Sequence, residues 1–100
     1  MLFNTTYQVD LEEARNFVIW LHECYIPQVE EQGSLSHPRI ARVLSHREQD
    51  SECFALEFEV ENTAALHHWY NKYGMDFEKE IRKMFGKKVV WFSTLLEVIE

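Results

Sequence analysis

An α+β fold is predicted: a ferredoxin-like βαββαβ sandwich, with a four-stranded antiparallel sheet carrying helices on one face. Three observations carry this reading. Phe54, Leu56, Phe58 and Val60 alternate with Cys53, Ala55, Glu57 and Glu59, the period-two signature of a half-buried strand. Ala14, Phe17, Val18, Leu21 and Tyr25 recur at helical spacing, as do Phe77, Ile81, Met84 and Phe85 nearer the C-terminus. The order that results is strand, helix, strand, strand, helix in two pieces, strand. This is the split βαβ pattern, with the first and third strands as the central pair.

Residues 2–9 read as the first strand, with Phe3, Thr5, Tyr7 and Val9 on one face and Leu2, Asn4, Thr6 and Gln8 on the other. Asp10 followed by Glu13 resembles a capping box and opens the first helix. Pro27 removes a backbone donor, so that helix should kink or restart near Ile26. Gly33, Ser34 and the His37–Pro38 pair close it and open a loop. Residues 39–46 and 52–61 form the second and third strands, joined through the polar stretch Arg47 to Ser51. Asn62 and Thr63 cap a helix through Leu66 and Trp69 that should stop at Gly74. A further helix after Asp76 stops at Gly86, and Val89 to Val98 is the last strand, apolar on both sides.

The chain of 100 residues suits a single domain, residues 1–100, and 46% apolar residues are enough to build a core. Ten Lys and Arg against 17 Asp and Glu leave a net charge of −7, which disfavours phosphate backbones and anionic membranes. The only dense basic run, Arg82, Lys83, Lys87 and Lys88, fits a helix C-terminus. No nucleic-acid or membrane partner is therefore expected. Cys24 and Cys53 stand alone, as in a reducing cytoplasm, and Met1 to Asp10 has no signal-peptide pattern, so a cytoplasmic location is expected.

The second sheet face decides the association state. It is assigned Leu2, Asn4, Thr6, Gln8, Cys53, Ala55, Glu57, Glu59, Trp91, Ser93 and Leu95. That set is too apolar for a solvent-washed surface and too polar for a dry core. A homodimer is expected to cover it, with Asn4, Thr6, Ala55, Glu57, Trp91 and Ser93 at the interface. Arg39 or Arg42, on the neighbouring strand, is expected to pair with the Glu57–Glu59 acids.

Across its whole length the chain resembles a family of short bacterial proteins, the domain of unknown function 4286 family. The resemblance lies in Phe3-Asn4-Thr5-Thr6-Tyr7, Trp20-Leu21-His22-Glu23, Ile26-Pro27-Gln28-Val29, Ala41-Arg42-Val43-Leu44, Phe85-Gly86-Lys87 and Trp91 to Val98. It implies a fold of the dimeric α+β barrel type and no established activity. Tyr25 and Ser93 depart from the family pattern, which favours a histidine and an arginine there.

No catalytic set, metal site or cofactor site is assigned. Among His22, His37, His46, His67 and His68 no pair has ligand spacing on one helix face, and the glycines form no phosphate loop. Two functions are weighed. The first is a non-catalytic homodimeric structural or interaction module. The second is a small-molecule binder, or a cofactor-independent monooxygenase- or isomerase-like enzyme, with Trp20, Tyr25 and Arg42 clamping an aromatic or anionic ligand. A cavity of about 300 Å³ with convergent polar groups would favour the second, and side chains filling that space the first.

Overall fold

The computed structural model describes residues 1–100. Strand β1, Leu2–Asp10, leads through a single 3-10 turn into helix α1, Ala14–Trp20. A π-helical turn, Leu21–Tyr25, joins α1 to α2, Ile26–Gln32. Strands β2, Leu35–Arg42, and β3, Ser51–Val60, follow. Helix α3, Thr63–Trp69, passes through a second π turn, Tyr70–Gly74, into α4, Met75–Phe85, and β4, Val89–Leu96, ends the fold. The sheet order is β2-β3-β1-β4 with every pairing antiparallel, so the expected central pair, β1 and β3, is observed.

Alternation along β1 buries Phe3, Thr5, Tyr7 and Val9 beneath the helices, and β3 does the same with Phe54, Leu56, Phe58 and Val60. Phe17, Leu21, Val29, Leu66, Trp69, Phe77 and Ile81 complete the core from the helical side. The molecule is only 19 Å thick, the depth of one sheet plus one helix layer, so no second layer covers the opposite sheet face, and only the 43–50 loop lies against it, at the Ser51 and Cys53 end.

Local signals hold where a backbone group demanded them. Asn62 Oδ1 accepts the Ala65 N–H at 2.8 Å, and Gly33 ends α2 at φ +81°. Pro27 sits in the first turn of α2, where its missing donor is harmless, immediately after the π turn.

Other expectations are corrected. Asp10 makes no capping bond, because a 3-10 turn separates it from α1; the Leu11 N–H bonds the Asp50 carbonyl instead, at 2.9 Å. Strand β2 begins earlier than expected. His37, at φ +53°, forms a bulge between Ser36 and Arg39 that carries Pro38 into the strand, which an edge strand tolerates. Gly74 does not stop its helix, since its backbone is ordinary right-handed helix at φ −59°. Glycine is needed there for space: a Cβ would lie 2.7 Å from Tyr70 Cδ1 and 2.9 Å from Trp69 Cζ3.

The phase of β4 is the largest correction. Tyr7 pairs with Trp91, Thr5 with Ser93 and Phe3 with Leu95, which turns Trp91 and Ser93 toward the helices. Val90, Phe92, Thr94 and Leu96 take the open face in their place. A strand apolar on both sides carries no phase in its periodicity, and only its partners set it. Arg39 lies opposite Glu57 in register but forms no ion pair, and Arg42, on the helix side, pairs with Glu52 at 3.6 Å. Glu59 is met instead by His37, at 3.2 Å.

Candidate functional site

Trp20 and Tyr25 come together, their rings stacked at 5.4 Å. The π turn swings Tyr25 into the core, edge-on to Phe77 at 4.8 Å and to Phe58 at 6.4 Å. Both rings are buried, and the Trp20 indole N–H has no acceptor. Arg42 does not join them. Its guanidinium lies over Phe54 at 5.6 Å and borders a surface recess with Arg15, Val18 and Ile19 of α1. The three-residue clamp is therefore divided between a filled core and a strand edge.

A polar cluster lies nearby that the sequence did not disclose. Between sheet and helices is a cavity of about 20 Å³, room for about one water, with Thr5, Tyr7, Tyr25, Glu78, Trp91 and Ser93 among its walls. Glu78 Oε1 accepts from the Tyr70 hydroxyl at 2.5 Å and Glu78 Oε2 from the Trp91 indole at 3.1 Å, while the Thr5 and Ser93 hydroxyls meet at 3.0 Å. Arg82 lies over the Trp91 ring at 4.6 Å. Tyr70, Glu78 and Trp91 also wall an outer groove of about 360 Å³ beside α3 and β4. An ideal helix turns eight residues through about 800°, which leaves the last about 80° away from the first. The extra residue of the π turn removes most of that offset and brings Glu78 round to Tyr70. No residue pattern announces a π turn, so this pairing was not legible in the sequence.

The phenols of Tyr7 and Tyr25 are both held well above their ordinary value of 10.0. Burial is the main cause for each, reinforced at Tyr7 by the neighbouring Tyr25. Tyr70 is raised as well, first by its bond to Glu78 and then by desolvation. A raised folded-state value means that folding binds the phenolic proton more tightly than unfolding does. The resulting stability is whole below pH 10 and falls as pH rises through the folded-state values. Phenolate absorbance is therefore expected to show Tyr7 and Tyr25 ionising only together with loss of the folded circular-dichroism signal. Free titration of all four tyrosines near pH 10 in folded protein would contradict this.

On the open face, Asn4, Thr6, Ala55 and Glu57 stand together in the centre, Asn4 opposite Glu57 and Thr6 opposite Ala55. Asn4 donates to Thr6 Oγ1 at 3.2 Å. Beside them runs the outward column of β4, where Phe92 is 63% exposed, Val90 46% and Leu96 40%.

The profile of the domain of unknown function DUF4286 matches residues 1–99. Two solved structures share the fold. A protein provisionally designated an antibiotic biosynthesis monooxygenase, from Deinococcus radiodurans, superposes with a TM-score of 0.65 at 16% identity, over 100% of this chain and 97% of its own. An ethyl tert-butyl ether D (EthD) family protein from Bacillus halodurans gives a TM-score of 0.67 at 13% identity, over 97% of this chain and 100% of its own. No curated protein matches in sequence. At these identities the likeness is one of fold, an α+β sandwich of the ferredoxin-like type.

Proposed function

Since the chain belongs to the DUF4286 family, which is defined without an activity, we propose from its own geometry that it is a non-catalytic homodimeric module. Two copies meet through their open sheet faces. The observation that carries this is the outward column of β4, Val90, Phe92 and Leu96, beside Leu2 and Ala55 on a face that no second layer covers. Burying about 500 Å² of apolar area per subunit contributes on the order of 12 kcal/mol before association costs. Counted over both subunits, that gain exceeds an association cost of about 4–15 kcal/mol and leaves about the 8 kcal/mol of a micromolar dimer. The same face carries both signs of charge, Arg39 beside Glu57 and Glu59. A twofold axis lets each copy answer the other's charges, which a chemically different partner would have to reproduce by its own sequence. The second copy is therefore the occupant proposed for this face. Two free thiols, Cys24 and Cys53, suit work in a reducing cytoplasm.

Sedimentation velocity at micromolar concentration is expected to show one species of twice the chain mass. A single subunit under those conditions would overturn the reading.

One observation supports a second reading, a small-molecule binder or a cofactor-independent enzyme of the monooxygenase or isomerase kind. The outer groove has the volume of a metabolite site, presents Tyr70, Glu78 and Trp91, and belongs to a fold shared with a protein designated a monooxygenase. The inner cavity, at about 20 Å³, is filled by its own aromatic rings, and this supports the first reading. A rise in Tm with a flat aromatic metabolite, lost in Glu78→Gln, would decide for the second.

A further inference from the structure

Residues 43–50, between β2 and β3, fold back over one end of the sheet and gather side chains from three places in the sequence. The Cys53 thiol lies 3.3 Å from His46 Nδ1. His46 Nε2 lies 2.9 Å from Ser51 Oγ, and Ser51 donates to Glu48 Oε2 at 3.2 Å. Gln8 Nε2, from β1, donates to the same carboxylate oxygen at 2.9 Å and to Ser51 Oγ at 3.4 Å.

These contacts have a direction. Ser51 has one proton, and the carboxylate takes it, so Ser51 Oγ receives the Nε2–H of His46. The imidazole then turns a bare Nδ1 lone pair toward the Cys53 S–H. A nucleophile, a base and a group that orients the base stand in line.

The line ends at a recess. A pocket of about 290 Å³, close to the size of a small-molecule site, is bordered by Cys53, His46, Glu48, Arg42, Glu52 and Leu11. It opens where β1 runs into Leu11, at the end of the sheet, with Cys53 one same-face register pair beyond the central Thr6 and Ala55 of the open face. Burial, and after it the Glu48 charge, push the thiol's ionisation upward, so the resting form is the neutral thiol. The proton must therefore leave as the new bond forms, which is the work of a general base.

We propose that Cys53 and His46 are a nucleophile–base pair for thiol–disulfide exchange with small disulfides that are cationic or uncharged. Sγ attacks one sulfur of the disulfide while its proton passes to His46 Nδ1. The disulfide's S–S bond breaks, and the departing thiolate takes that proton from His46. The products are a mixed disulfide on Cys53 and one free thiol; the disulfide is the two-electron oxidant, and no other reactant is needed. The preference follows from the walls. Glu48 and Glu52 stand against Arg42 alone, and Arg42 lies 3.6 Å from Glu52, so an anionic disulfide meets net negative charge.

Cys24 is exposed and belongs to a different element, so the test uses Cys24→Ser protein, in which Cys53 is the only thiol. Adduct formation with cystamine and with glutathione disulfide is followed by intact-mass spectrometry. Cystamine is expected to react faster. His46→Gln is expected to slow cystamine about 100-fold and to leave a rate that depends on ionisation of the thiol alone. Glu52→Gln lies outside the Ser51–His46–Cys53 chain and is expected to narrow the preference for cystamine over glutathione disulfide. An equal or faster reaction in His46→Gln, as loosening of the loop alone would produce, overturns the proposal. So does labelling of Cys53 only in denaturant.

Discussion

Truncating Trp69 to alanine is expected to cost about 3–5 kcal/mol of folding stability. Trp69 is 2% exposed, stacks on Phe77 at 6.3 Å and meets Phe3 edge-on at 6.2 Å. Its indole N–H also donates to Gln32 Oε1 at 2.7 Å, tying α3 to the end of α2. The substitution removes the ring from between sheet and helix and leaves that amide oxygen to find water. A domain of this size has about 5–15 kcal/mol in total. At about 4–8 °C per kcal/mol, Tm should fall by about 15 °C or more. Trp69→Phe keeps a ring and loses the hydrogen bond, so it should cost distinctly less. Urea unfolding of the three proteins measures this; a Trp69→Ala midpoint near that of the parent would show that the helix layer is not anchored there.

Phe92→Asp is expected to leave the fold of one subunit nearly unchanged and to make the protein a monomer. Phe92 is 63% exposed within a subunit, so the subunit loses little packing. In a dimer joined through the open faces its ring is covered, and the substitution places a carboxylate there. About 2–3 kcal/mol is lost per copy, and twofold symmetry counts the loss twice. The dissociation constant should weaken by about a thousandfold or more. Sedimentation should then show single subunits at concentrations where the parent is paired, with a circular-dichroism spectrum like that of the parent. A Phe92→Asp protein that stays paired would move the interface off this face. The two substitutions separate cleanly: one acts on Tm through the core, the other on association through a side chain the core does not use.

How far the sequence could be read depended on what each residue answers to. Alternation along β1 and β3 was decisive, because each strand has one face against the helices and one away from them, and every second residue reports that difference. β4 has no such contrast. Its residues Trp91, Ser93 and Leu95 look as suitable for the open face as Val90, Phe92 and Leu96, and the register with β1 chose between them. Gly74 reads as a helix stop by residue type, yet its role is to let Trp69 and Tyr70 close over it. Trp20 and Tyr25, grouped by the sequence reading with Arg42 as a clamp, stack on each other in the core. Arg42 stands on a strand edge apart from those rings, over Phe54.

The sequence by itself determined the order of the elements, the central pairing of β1 with β3, and which side chains of those two strands face the helices. These follow from backbone preferences and burial, which repeat at a fixed period along the chain. Only the tertiary structure decided the phase of β4, the Tyr70–Glu78–Trp91 cluster and the approach of His46 to Cys53. Each of these depends on a partner delivered by another element, through a sheet register, a π turn or a folded-back loop. A polar group's partner is set by where the chain returns, and no local period records that.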